Sequence, residues 1–364
     1  LCPASFISKP RSSINMNTNL SFACDYMEGC HPAILEKLTE TNLIKTPGYG
    51  LDDYTRSACE KIKSACQKPE AQVFLLTGGT QTNATVISAI LKSYQGVVSA
   101  STGHIATHEA GAVEACGHKV LTLPSHNGKI DAAELSRILV DYDQDVNHDH
   151  MVMPGMVYIS HPTEYGTLYS HSELEEISQV CRQHQIPLYL DGARLAYALA
   201  CPQNDLSLQD LAALCDVFYI GGTKCGALFG EAVVITVPGL IPHFFTIIKQ
   251  HGALLAKGRL LGIQFDTLFT NHLYEHIGKS AISAADQIRD MLKINGFQLC
   301  YDSPTNQIFC IIENSVMDRL LSQVECSFWE KYDDSHTVIR FVTSWATTQE
   351  DVQRLGTVLS LCSS

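Results

Sequence analysis

Seven short runs of aliphatic, aromatic and β-branched residues, VFLLT (73–77), VVSA (97–100), KVLTL (119–123), MVYIS (156–160), LYLD (188–191), VFYI (217–220) and AVVIT (232–236), are separated by stretches with helical spacing. Several are apolar throughout instead of alternating, the pattern of strands covered on both faces. Strands of that kind, joined through helices, form a mostly parallel sheet with right-handed crossovers, so a doubly wound α/β layer is expected. The helices carry their own signals. In SHSELEEISQVCRQH, Ser170 stands three residues before Glu173 as a capping box, and Leu174, Ile177 and Cys181 follow at helical spacing. TQTNATVISAILKSY sets Val86 and Ile90 on one face directly after the first run and its glycine pair. The seventh run follows the sixth after only a glycine-punctuated turn, which predicts an antiparallel partner.

After Pro238 the pattern is helical for about fifty residues, a length that suits one interdomain helix. The β-like runs FQLCY, NQIFCII, CSFWEKY and VIRFVTSW follow, closed by a helix from Gln349, and predict a small α/β domain with an antiparallel sheet. The expected organisation is a flexible arm over 1–20, a large domain over 21–255 and a small one over 256–364. With 364 residues, 45% of them hydrophobic and 17% charged, the chain has an ordinary globular composition and ample core. A net charge of −13 without a basic stripe argues against nucleic acid. No apolar run approaches a membrane span, and the first twenty residues lack the apolar stretch of a secretory signal. The 14 cysteines contain no CxxC pair, which disfavours structural zinc and suits a reduced compartment. A cytoplasmic location is expected, with organelle targeting left open.

Open α/β sheets bind ligands beyond the carboxyl ends of their strands. At those ends TGGTQTN (77–83) opens a helix, and its Gly79 and Thr80 suit either a phosphate cup or a plain turn. STGHIATHEAGA sets His104 and His108 one helical turn apart, for stacking on a flat ligand, for moving protons or for simple packing. No metal is expected there, because Glu109 falls outside the position a zincin motif requires. YLDGARLA ends a strand on Asp191 with Arg194 one turn later, either a structural ion pair or a carboxylate for a protonated ring nitrogen. In VFYIGGTKCGALFGEAVV, Lys224 is the only charge between Asp216 and Glu231. It either snorkels out of the turn or is an amine held partly neutral and ready to form a Schiff base. Taken jointly, a phosphate cup, a stacking ring, a carboxylate and a reactive lysine describe a pocket for pyridoxal 5'-phosphate.

The blocks GGTQTN, GHIATHEAGA, YISHPTEYGTLY, LYLDGARLA, DVFYIGGTK and ALFGEAVVI resemble the low-specificity L-threonine aldolases, in the β-eliminating-lyase group of fold type I enzymes. The resemblance runs from about Phe22 to the C-terminus. It implies a seven-stranded, mostly parallel sheet with a smaller C-terminal α/β domain, and a lyase that releases glycine and an aldehyde from threonine or allo-threonine. It implies that Lys224 carries the cofactor, Asp191 bonds its ring nitrogen, Arg194 lies near its ring hydroxyl, His104 stacks on its face, and Gly79 and Thr80 hold its phosphate. Arg340, in VIRFVTSW, takes the substrate carboxylate. His104 is the first choice of base for the β-hydroxyl proton and His108 the second. Relatives form homodimers or homotetramers, in which PGYGLDDY (47–54) would reach the neighbouring pocket. Three positions depart from the family pattern. Cys24-Asp25 stands where many relatives read Ser-Asp at the substrate contact, His161 where Asn is common, and Gly78 where the phosphate cup usually begins with Ser. β-Elimination or transamination on the same cofactor, and a non-catalytic binding protein on the same fold, are the alternatives.

Overall fold

The computed structural model describes residues 20–362, so all but the last residue of the expected arm lies outside the described residues. The first strand, β1 (Leu20–Ser21), is short. The seven expected runs follow as β2 (Gln72–Leu76), β3 (Gln95–Ala100), β4 (Val120–Leu123), β5 (Met153–Ser160), β6 (Leu188–Gly192), β7 (Val217–Gly221) and β8 (Glu231–Ile235). They form one sheet in the order β2-β8-β7-β6-β5-β3-β4. β8 alone is antiparallel, and it pairs with β7 on one side and β2 on the other. Neighbouring residues in each strand face opposite layers. Val98, Val157, Leu190, Phe218 and Val234 join the core on one side, and Val97, Tyr158, Tyr189, Tyr219 and Val233 the core on the other. Both faces are therefore covered, which is why the strands read as unbroken apolar runs. Each such side chain withdrawn from water contributes roughly 2 kcal/mol.

The helices lie where their signals put them. Ser170 and Glu173 make both bonds of the capping box at the start of His171–Gln183, and the helix after β2 runs from Gly79 to Ile90. The stretch after Pro238 differs from the expectation of one long helix. It is broken into Phe244–Gln250, Arg259–Leu268, Leu273–His276 and Lys279–Ile294. Left-handed residues interrupt it, His243 at φ 56°, Gly252 at 69°, Asn271 at 52° and His272 at 58°, a conformation that ends a helix and that apolar spacing does not encode. Only Lys279–Ile294 links the two cores. Its Ala281 and Ile282 belong to the core of the large sheet, and its Ile288 and Leu292 to that of the small sheet.

That small sheet consists of β9 (Gln298–Leu299), β10 (Gln307–Glu313), β12 (Ser327–Lys331) and β13 (His336–Val342), in the order β12-β13-β10-β9 and antiparallel throughout. The remaining strand, β11 (Val324–Glu325), pairs in parallel with β1 and so ties the N-terminal segment to this part of the molecule. Phe22 packs edge-on against Phe341, with ring centroids 6.4 Å apart. No described helix is long and apolar enough to cross a membrane.

Candidate active site

Because β2, β3, β5, β6 and β7 run in one direction, their carboxyl ends open on a common cavity of about 430 Å³. Gly79, Thr80, His104, Asp191, Arg194 and Lys224 all line it. The helix Gly79–Ile90 starts there with no side chain capping its first turn, so its unpaired amides and positive dipole end suit an anion. His104 opens a one-turn helix after β3. β8, being antiparallel, enters the sheet from this same edge. Its first residue, Glu231, sits in register with Leu76 and Gly221 and therefore faces the site as well.

Asp191 is buried, and each of its oxygens has a partner. Oδ1 accepts from the backbone N–H of Ala193 at 2.9 Å, and Oδ2 from the hydroxyl of Tyr158 at 2.6 Å and Nδ2 of Asn83 at 3.1 Å. Burial alone raises a carboxyl, but the His104 imidazole and the hydroxyls of Tyr158 and Tyr219 outweigh it and hold Asp191 below the usual range. The alternative of an Asp191–Arg194 ion pair is not what forms. Arg194 instead grips Asp25 with two bonds, Nε to Oδ2 at 2.7 Å and Nη2 to Oδ1 at 3.0 Å. Asn306 from the small sheet adds a third bond to Asp25, at 2.9 Å.

Lys224 does not leave the turn for bulk solvent. It lines the cavity, where burial and then the Arg194 charge press its amine below the normal lysine value while Asp25, Asp191 and Glu231 pull the other way. Burial pushes the Glu231 carboxyl up to about 8, although Thr223 Oγ1 donates to it at 2.8 Å and the N–H of Gly222 at 3.1 Å.

Of the remaining candidates, Arg340 stands on β13 of the small sheet, Cys24 on the N-terminal segment and His108 at the end of the short helix after β3. Arg340 donates from Nη1 to Oε1 of Gln307 at 3.0 Å, and its Cζ lies 5.1 Å above the ring of Trp329. Burial first, then the charge of Arg194, lowers it to about 10. Its Nε and the Nε2 of Gln307 are buried without a hydrogen-bond partner among the described residues. Cys24 and Tyr26 are within electrostatic reach of this guanidinium. His108 packs between His104, at 5.7 Å, and Trp329, at 6.1 Å between centroids, and burial, His104 and Arg340 all lower its basicity. The two histidines thus stand in a row, their rings tilted 55° to one another, toward Arg340.

Residues 22–307 match the Beta-eliminating lyase family. The chain belongs to this family. It is 29% identical over 346 residues to the low specificity L-threonine aldolase of Pseudomonas aeruginosa, covering 92% of this chain and 95% of that one. The structure of the threonine aldolase of Leishmania major is 41% identical, with a TM-score of 0.91 over 94% of this chain and 99% of the other. The aspartate aminotransferase of Thermus thermophilus, at 14% identity, a TM-score of 0.70 and coverage of 94% and 91%, shares the fold type I architecture alone.

In this beta-eliminating lyase Asn83, Glu109, Tyr158, Glu164 and Tyr219 surround Asp191 and His104. All five fall within the sequence blocks quoted above, but no spacing marks them as a set. Glu231 had a readable signal. An acidic residue opening an apolar run, in the strand expected to be antiparallel, must face the same edge as the ends of its neighbours.

Proposed function

We propose that this chain is a pyridoxal-phosphate-dependent aldehyde-lyase that cleaves L-threonine, L-allo-threonine and related β-hydroxy-α-amino acids to glycine and an aldehyde. The observation that carries this reading is the gathering of Lys224 and a fully bonded Asp191 at one cavity, with a guanidinium beside it. Arg340 does not line the cavity but lies within electrostatic reach of Arg194 and His108, which do, and its buried Nε has no partner among the described residues. The donor set fits the cofactor. The uncapped helix start at Gly79 and Thr80 suits its phosphate, Asp191 a protonated ring nitrogen, the His104 imidazole its face, and the Lys224 amine its aldehyde. When bound, pyridoxal phosphate supplies a carbonyl that condenses with an amino group and a ring that accepts the electrons of the broken bond.

The residues of the chain do the rest. Arg340 orients the substrate carboxylate with its planar fork, and the Nε2 of Gln307 adds a neutral donor beside it. Arg194 is fixed by Asp25, so its charge stays at the cavity and keeps the amine of Lys224 partly neutral, the form that attacks a carbonyl. Asp191, held ionised by its partners, keeps a ring nitrogen protonated. An imidazole of the His104–His108 row takes the β-hydroxyl proton as the Cα–Cβ bond breaks. A homodimer or homotetramer is the proposed assembly.

An absorbance spectrum of the cofactor-saturated protein, followed by an assay with L-allo-threonine, tests the reading. A yellow protein that releases glycine and acetaldehyde is expected. A colourless protein with no borohydride-trapped adduct at Lys224 would overturn the cofactor assignment, and pyruvate from serine or cysteine conjugates in place of glycine would turn the reading to β-elimination.

A further inference from the structure

Beside His104 lies a carboxylate that the chemistry described so far does not use. The chain leaves the helix His104–Thr107 and turns back through two successive left-handed residues, Ala110 at φ 52° and Gly111 at φ 73°. A non-glycine residue such as Ala110 adopts that conformation only against a steric cost. Glu109, the residue just before that turn, lies at the edge of the imidazole with its side chain wholly buried. Its Oε1 lies 2.7 Å from Nδ1 of His104 and accepts from Nδ2 of Asn83, also at 2.7 Å. Oε2 is buried with no partner among the described residues. A buried carboxylate with one free oxygen costs stability, so an arrangement that keeps one calls for a reason beyond packing.

Asn83 is the key to the protonation states. Its amide stands between two carboxylates, giving one N–H to Glu109 and the other to Asp191 at 3.1 Å, while its Oδ1 accepts from the hydroxyl of Tyr189 at 2.8 Å. The reversed amide would aim a carbonyl at both carboxylates, so the orientation is fixed. With both lone-pair directions of this corner committed to receiving protons, the contact to His104 requires a proton on Nδ1. The opposite ring nitrogen, Nε2, is then left bare in the neutral ring.

We infer that Glu109, oriented by Asn83, is a positioning residue that fixes His104 in its Nδ1–H tautomer and makes Nε2 the atom that accepts the substrate's β-hydroxyl proton. The inference rests on the proposed cleavage and names its base. In the step, the β-hydroxyl O–H would break, its proton would pass to Nε2, and the oxygen's electrons would form the aldehyde carbonyl as the Cα–Cβ bond gives up its pair, which a bound pyridoxal phosphate would accept. Glu109 keeps its charge throughout and stabilises the imidazolium. The other groups around this imidazole do not compete for Nδ1. Glu164 accepts the backbone N–H of His104 at 2.9 Å and the hydroxyl of Ser160, Asp191 is bonded to Tyr158 and Asn83, and His108 meets His104 ring to ring.

The test uses the cofactor-loaded, full-length protein labelled with ¹⁵N histidine, with His104→Phe to assign the resonances. A proton-bearing Nδ1 and a bare Nε2 at His104 in the wild type, reversed in Glu109→Leu, is the expected result. A bare Nδ1 in the wild type overturns the inference. In kinetics, Glu109→Gln keeps the shape and removes the charge. With cofactor absorbance and melting temperature unchanged, kcat for allo-threonine should fall about 10- to 100-fold with KM nearly constant, and the acid limb of kcat/KM should move to lower pH as the imidazolium loses its partner. A merely structural glutamate predicts an unchanged kcat and pH profile in the folded variant, which would overturn the inference. Failure of the wild type to release glycine would sink the aldolase reading instead, and the ring-nitrogen spectrum would still decide the role of Glu109.

Discussion

On the large-sheet wall of the cavity both oxygens of Asp191 have partners, supplied by Tyr158, Asn83 and the backbone of Ala193, whereas the small-sheet side beside the cavity keeps buried polar atoms without one. The atoms in question are Nε of Arg340, Nε2 of Gln307 and Oδ1 of Asn306. A buried donor that lacks an acceptor costs about 1–3 kcal/mol. Asp191 is therefore completed by folding, whereas Arg340 and Gln307 are left for what binds to them. The difference follows from secondary structure. Asp191 stands at the end of a parallel strand buried on both faces, and Arg340 and Gln307 stand on the neighbouring antiparallel strands β13 and β10 of the small sheet.

The comparison predicts opposite outcomes for the loss of each charge. Asp191→Asn should retain cofactor but lower kcat about 1000-fold, and it should lower the melting temperature, because Tyr158 and Asn83 lose an ionised acceptor. Arg340→Leu should raise KM for allo-threonine about 100-fold with the melting temperature unchanged or higher, since a buried charge without a carboxylate partner is removed. Added glycine should raise the melting temperature of the wild type and not that of Arg340→Leu. If calorimetry shows Arg340→Leu destabilised as much as Asp191→Asn, the contrast between the walls is wrong.

The same division explains what the sequence made legible. Strand runs, the antiparallel β8 and the gathering of Asp191, Lys224 and His104 at one cavity were readable because doubly covered strands have a continuous apolar signature and their carboxyl ends meet at one edge of the sheet. The bonds of Arg194 were not readable. Asp25 lies 169 residues away on the N-terminal segment, and nothing local links the two. The long helix after Pro238 was misread because its breaks are left-handed backbone at His243, Asn271 and His272, residues whose side chains do not announce them. Glu109 was read only as failing a metal motif, since its place beside His104 goes with a turn in which Ala110 takes a positive φ.

A smaller effect is expected at His161, one of the three departures from the family pattern. It is buried beside the large-sheet wall, donates from Nε2 to Oδ1 of Asn204 at 3.1 Å, and leaves Nδ1 without a partner among the described residues. Burial lowers it to about 4, against an ordinary value of 6.5. The unfolded chain then binds the proton first as pH falls, so the stabilising contribution is complete above about 6.5 and is lost as pH drops through about 4. The difference amounts to roughly 3 kcal/mol at most. His161→Asn should flatten the fall in melting temperature between pH 6.5 and 4 while leaving KM near the wild-type value. An unaltered pH profile would show that the wall is not stabilised through a neutral histidine.

The smallest effect is expected where the large-sheet wall is itself left open. The helix Gly79–Ile90 begins without a capping side chain, and Gly78 at its N-cap has an extended backbone with φ −177°, which any residue can adopt. A β-carbon there would have nothing within 4 Å, whereas one at Gly79 would come 3.3 Å from the hydroxyl of Tyr219. Gly78→Ser should therefore be accommodated, add a hydroxyl at the helix start, and stabilise the protein by a few tenths of a kcal/mol. Gly79→Ala should crowd Tyr219 and weaken cofactor retention. If the hydroxyl instead serves the phosphate, the gain in melting temperature will appear only with cofactor bound. Thermal melts of Gly78→Ser with and without pyridoxal phosphate separate the two, and equal gains in both states assign the serine's effect to capping the helix.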